Sequence, residues 1–257
     1  MSKKVLTILL TALIFLSCVT LGVATVFRVS DVAVVANVVS EHAKAESESL
    51  KKELSALYTT ENIFSVEQAQ MDNILMKYPY LRVTEFKKSY PNKVVVSILE
   101  EAEVYAVEDK EGKYFILSKE GTILEYRSSS ANRLDGAKNV LLKGLSVQEV
   151  NGSLSGDDCW QSMLALCQSM DEKTGGIRSN VISVEILSRT PETFYLITMR
   201  EGVKIYIRNP NSLTEEKAKT AIDKYMGLSD EERMTGRLMI FDVNGTVFSQ
   251  YSLQDDF

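Results

Sequence analysis

The sequence predicts an α+β protein hung from one N-terminal membrane-spanning helix. Three observations carry that reading. Val5–Phe27, 23 residues, contains no charged residue and no proline. Residues 28–101 then follow a β-α-α-β-β pattern. Residues 102–251 read as a larger mixed-sheet β domain with flanking helices, closing on Asn244-Gly245, a strong hairpin signal.

The apolar run comes first in the chain. At about 1.5 Å per residue its helix is roughly 35 Å long, enough to cross a hydrocarbon core about 30 Å thick. Lys3 and Lys4 precede it, and Arg28 and Asp31 follow with offsetting charges. The positive-inside rule therefore puts a cytoplasmic stub, residues 1–4, inside and everything after the helix (5–27) outside. Two rival readings exist. A cleavable signal would have a shorter apolar region and a small-x-small site; here the run continues past Cys18 to Phe27 and no Ala-x-Ala site closes it. Leu16-Ser17-Cys18 loosely resembles a lipobox, although Phe15 and Leu16 fit it poorly. Under all three readings the remainder of the chain lies outside the cytoplasm.

That remainder holds 27 basic and 35 acidic residues, a net charge of −8. Such a balance argues against nucleic acid and anionic lipid as main partners. Cys159 and Cys167 stand eight apart on an expected helix, about 12 Å along its axis. A disulfide needs Cα atoms within about 7 Å, so two separate buried thiols are expected.

Within 28–101, Val32–Val38 reads as a strand and Ser40–Tyr58 as a helix with Leu50, Leu54, Leu57 and Tyr58 on one face. Ser65 with Gln68 reads as a capping box for a second helix, with Phe64 and Ala69 as its staple. Val66, Met71, Ile74 and Leu75 give that helix its apolar side, and Pro79 stops it. Tyr80–Tyr90 and Val94–Leu99 read as strands about a Pro91-Asn92 turn.

Within 102–251, short strands are expected at Val104–Val107, Lys113–Leu117 and Thr122–Tyr126. Leu145–Gly156 reads as a loop. Asp157 or Asp158 caps a helix bearing Cys159, Met163, Leu166, Cys167 and Met170, and Lys173–Asn180 is a loop. Strands follow at Val181–Leu187, Thr193–Arg200 and Val203–Arg208. A helix opened by Ser212 and Glu215 ends near Gly227. Arg237–Val243 and Thr246–Ser252 form the final hairpin, and residues 252–257 are an acidic tail.

No catalytic constellation emerges, and no catalytic, cofactor-binding or metal-ligating residue is assigned. His42, the lone histidine, lies on a polar helix face. Glu100 and Glu101 point to opposite faces of a strand. Asp157-Asp158 suits capping, and Asp255-Asp256 lies in the tail. Trp160 reads as core. No cofactor and no small-molecule substrate are expected.

Asn62-Ile63-Phe64-Ser65, Tyr78-Pro79-Tyr80-Leu81, Lys88-Ser89-Tyr90-Pro91-Asn92, Val94–Ile98 and Glu100 together resemble the POTRA domain of the DivIB/FtsQ cell-division family. Glu201-Gly202-Val203, Leu213–Lys217 and Ile240-Phe241-Asp242-Val243 more weakly resemble that family's β domain. The sequence departs from the family pattern at Ala36, Glu101, Glu103 and Ser118. The resemblance implies a non-enzymatic bitopic scaffold in the bacterial cytoplasmic membrane, at the division septum. It also implies partners of the FtsL and DivIC/FtsB type. A membrane-anchored sensor or enzyme and a POTRA-type translocation factor are the alternatives.

One site follows from the hairpin. Thr246, Val247, Phe248, Ser249, Gln250 and Tyr251 form a last strand without charge or proline, open to pairing by an extended segment of another protein. The plainer reading is that Val247 and Phe248 pack the core and the acidic tail screens the edge. The resemblance favours binding, because the family is expected to hold its partners through the C-terminal part of the β domain.

Overall fold

A computed structural model describes residues 3–128, 131–133, 136–150 and 153–253. The chain divides into two compact units, Met1–Glu101 and Ala102–Phe257.

The first unit begins with α1 (Lys3–Val26). Its stretch Leu9–Val26 has a mean hydropathy of 2.3, none of it buried, and is long and apolar enough to cross a membrane. Lys3 and Lys4 are already helical and extend the apolar run by its N-terminal flank. There follow β1 (Asp31–Asn37), α2 (Glu41–Tyr58), α3 (Gln68–Leu75), β2 (Leu81–Ser89) and β3 (Lys93–Glu100). The sheet order is β1-β3-β2. β1 runs parallel to β3, and β2 antiparallel. Val94, Val96 and Ile98 alternate inward along β3 and meet Leu50, Leu54, Tyr58, Ile63 and Met71 in one core. Ser40 caps α2 by accepting from the Ala43 N–H.

The start of α3 differs from expectation. Residues 62–65 form a turn, with Ser65 N donating to Asn62 O at 2.9 Å. This turn buries Ile63 and Val66, so the helix begins only after Val66. Glu67 and Gln70 form the capping box in place of Ser65 and Gln68. Phe64 is no staple: it is 57 % exposed and stacks on Phe27 and Tyr90. Leu75 packs at the margin of the core and is only partly buried.

The second unit contains β4 (Tyr105–Glu108), β5 (Tyr114–Leu117), β6 (Ile123–Arg127), β7 (Val140–Lys143), β8 (Gln148–Val150), β9 (Ser153–Ser155), α4 (Trp160–Thr174), α5 (Ile177–Asn180), β10 (Val181–Ser188), β11 (Phe194–Met199), β12 (Lys204–Arg208), α6 (Thr214–Met226), α7 (Asp230–Met234), β13 (Arg237–Val243) and β14 (Thr246–Ser252). Nine strands form one mixed sheet, β14-β13-β12-β11-β10-β7-β4-β5-β6. α4 and α6 pack on each other. Trp160, Met163, Cys167, Tyr195, Ile197, Ile205, Ala221, Leu238 and Ile240 belong to the common core. Both cysteines are free and buried, and burial pushes the Cys167 thiol up to about 12.

Four local readings need correction. Leu145–Gly156 contains the small hairpin β8–β9. Lys173–Asn180 is not one loop: α4 reaches Thr174, Gly175 ends it at φ 66, and α5 follows. Ser212 and Glu215 form no capping box, because Leu213 occupies the N-cap in a left-handed conformation. Thr214 Oγ1 donates instead to Pro210 O at 2.7 Å. β7 and α7 were not anticipated. At the head of α4, Asp157 takes the capping role by accepting from Cys159 N at 2.9 Å.

Candidate partner-binding edge

β14 is the terminal strand of the nine-stranded sheet. It pairs antiparallel with β13 from Val243↔Thr246 to Arg237↔Ser252 without a register break. Asn244 (φ 52) and Gly245 (φ 79) make the turn; positive φ at both central residues is what a tight twisted hairpin requires. Among the described residues no strand lies beyond β14. Its outer side therefore offers backbone N–H and C=O groups for pairing.

The six predicted residues divide between two faces. Val247, Ser249 and Tyr251 are partly buried, and Val247 and Tyr251 pack against the core. Thr246, Phe248 and Gln250 are exposed on the opposite face. Phe248 is 46 % exposed and stacks on its cross-strand neighbour Phe241, ring centroids 6.0 Å apart at 26°. Tyr251 turns inward. Its hydroxyl lies 3.1 Å from Glu232 O and 3.0 Å from Thr235 O, tying the end of α7 to the strand. Gly236 makes room for it, since a Cβ there would sit 2.8 Å from that hydroxyl and 2.6 Å from Ser252 O.

Beneath the hairpin, α6 packs on β13 and β14. Lys217 on α6 is fully buried. Its ammonium lies 2.5 Å from Asp242 Oδ1 and donates to Arg208 O at 2.9 Å and Asn209 O at 2.8 Å. The Lys217 hydrogen bond is the leading cause of an Asp242 pKa below the usual carboxylate range. Desolvating a lysine is costly unless its donors are met, and here one carboxylate and two carbonyls meet them. The edge strand therefore rests on a fixed base. Sequence reasoning missed Lys217, because nothing local marks it as inward. It also missed Phe241, which was findable: Phe241 and Phe248 stand three residues either side of Asn244-Gly245 and so must face each other.

The carboxylates singled out earlier hold structure together. Glu100 accepts from the backbone N–H of Val39 at 2.6 Å and Ser40 at 3.0 Å. Glu101 pairs with Arg82. Burial pushes the Asp157 carboxyl up, but hydrogen bonds from Arg189, Ser146 N and Cys159 N outweigh it and leave it below its usual value. His42 is exposed, edge-on to Tyr80 and 3.1 Å from Glu46. Asp255 and Asp256 lie outside the described residues.

No family model matches the chain. The cell division protein DivIB of Clostridium tetani is 32 % identical over 101 residues, 36 % of this chain. The chain is similar to DivIB. The match spans 38 % of that relative's length. It supports the DivIB/FtsQ resemblance read from the motifs at 62–100, and the DivIB likeness agrees with one N-terminal apolar helix preceding mixed α+β units.

Proposed function

We propose that this chain is a non-catalytic, bitopic scaffold of the bacterial division machinery. Its N-terminus lies in the cytoplasm and its two folded units lie outside the membrane, at the septum. It binds single-pass coiled-coil division proteins of the FtsL and DivIC/FtsB type by letting one of their segments pair with β14. The observation that carries this reading is an edge strand, uncharged and among the described residues uncovered, in a chain similar to a cell division protein. Strand addition draws its affinity from main-chain bonds and its selectivity from side chains on alternate positions. Phe248, with the half-buried Phe241 beside it, supplies aromatic area of the kind that dominates binding energy.

The test is capture of co-expressed FtsL- and DivIC/FtsB-type proteins from detergent-solubilised membranes by the full chain. Phe248→Lys with Gln250→Lys puts two charges on the strand's exposed face and should abolish capture. Equal capture by this double variant and by the intact chain would disprove binding through β14.

A further inference from the structure

We propose that the first folded unit rests on the outer surface of the bilayer, with the rings of Phe64 and Tyr90 set among the lipid headgroups. This inference rests on the reading of α1 as a membrane anchor. It adds a second, independent point of contact.

The argument starts at the end of α1. The helical bonding runs one residue past Val26, with Phe27 N donating to Val23 O at 3.1 Å. No spacer follows. Phe27 O accepts from Ile63 N at 2.8 Å, and Val29 N donates to Glu61 O at 3.0 Å. Ser30 N donates to Asn92 O at 2.9 Å. The four residues after the helix are thus bonded to the 61–63 turn on one side and the 90–92 turn on the other. Both turns are drawn to the point where the apolar run stops.

Each turn presents one large ring there. Phe64 lies 5.0 Å from Phe27, centroid to centroid, and Tyr90 lies 5.5 Å from Phe64. Phe64 and Tyr90 are 57 % and 59 % exposed, unusual for aromatic side chains on a small unit that has its own core. The headgroup layer on each side of a bilayer is about 5–7 Å thick. The Phe64 ring, its centroid 5.0 Å from that of Phe27, the first residue past the helix, falls within that layer or at its border. Aromatic residues are enriched at this depth, where the ring meets apolar matter and a tyrosine hydroxyl meets water. Arg28 donates to Thr59 O and Lys88 to Phe64 O, so two cations flank the patch. Lys93 is paired with Asp31, and Glu61 with Ser65. The contact is therefore chiefly aromatic and not a net-charge attraction. The occupant of this patch is the lipid surface, because α1 brings that surface to it.

The opposite end of the unit supplies the control. β1 and β3 run parallel, both starting at this patch. Val39 lies eight residues beyond Asp31, about 26 Å away along an extended chain, and is 81 % exposed.

The experiment uses the full chain in phosphatidylcholine vesicles, some with lipids brominated near the headgroup end of the acyl chain. Phe64→Trp, Tyr90→Trp and Val39→Trp are compared. Trp160 is buried and supplies a constant background. The first two should show blue-shifted, bromine-quenched emission, and Val39→Trp should not. If the first two are quenched no more than Val39→Trp in chains that float with the vesicles, the proposal is overturned. Failure to float would instead overturn the anchor reading on which it rests.

Discussion

The two edges of the nine-stranded sheet are built on opposite plans. At one end, β6 reads Ile-Leu-Glu-Tyr-Arg. Its Arg127 makes two hydrogen bonds to Glu103, at 2.7 and 3.1 Å, and pairs with Glu125 at 2.6 Å. It also reaches the Asn132 carbonyl, in a segment closed by the Asn132↔Lys138 bridge. At the other end, β14 reads Thr-Val-Phe-Ser-Gln-Tyr-Ser, with no ionisable group but one tyrosine that is turned inward. Charged side chains at an edge discourage pairing with a foreign strand. The sheet thus invests buried electrostatics in closing one edge and none in closing the other. Among the described residues, one edge is guarded and the other is not.

That contrast can be broken or sharpened by substitution. The largest effect is expected at the closed edge. The Arg127 and Glu103 side chains are only 11 % and 5 % exposed, and removing Arg127 takes its charge from a buried carboxylate that Asn139 also contacts. Arg127→Met should cost about 3–5 kcal/mol in chemical denaturation of residues 28–257. A negligible change would mean that β6 is not closed by this network.

A smaller loss is expected beneath the open edge. Lys217→Met leaves the carbonyls of Arg208 and Asn209 and the Asp242 carboxylate without their donor, a cost of about 1–3 kcal/mol. The same variant changes acid sensitivity. The Asp242 pKa is lowered in the folded chain, chiefly by Lys217. Its contribution is complete above the ordinary carboxylate range and is lost as pH falls through the lowered folded value. The intact chain should lose stability over that acid range, and Lys217→Met should lose less; equal slopes would remove Asp242 from the account.

The smallest effect belongs to β14 itself. Phe248→Lys with Gln250→Lys should lower stability by no more than about 1 kcal/mol, chiefly the lost stacking on Phe241. A large fall would mean that the strand's open face is structural, and the two edges would then differ less than their sequences suggest.

What the sequence made legible was what local rules govern. Asn244-Gly245 specifies its hairpin through φ alone. Val94, Val96 and Ile98 declare an inward face by alternation, and Ser40 caps α2 as its type predicts. The misreadings fall where tertiary contacts overrule local preference. Ser65 lost its capping role because burying Ile63 and Val66 took a turn of chain first. Leu213 took a left-handed N-cap, and the buried Lys217 is anchored to carbonyls at 208 and 209. β7 has only four residues, Val-Leu-Leu-Lys, and so short an apolar run cannot be assigned to strand or helix by periodicity alone. Within the candidate edge, strand and register were readable, whereas the inward turn of Tyr251 depends on α7, a five-residue helix absent from the reading.

β7 also has a mechanical meaning. β4, β5 and β6 form one plate of the sheet, and β10 through β14 another. β7 joins them by parallel ladders of three residue pairs on each side. Parallel ladders are slightly weaker per residue than antiparallel ones, and these are short. A load applied at β14 crosses longer ladders before it meets this seam. The backbone offers least resistance to shear there. Val140 and Leu142, buried to within 1 %, fix the seam to the common core beneath it.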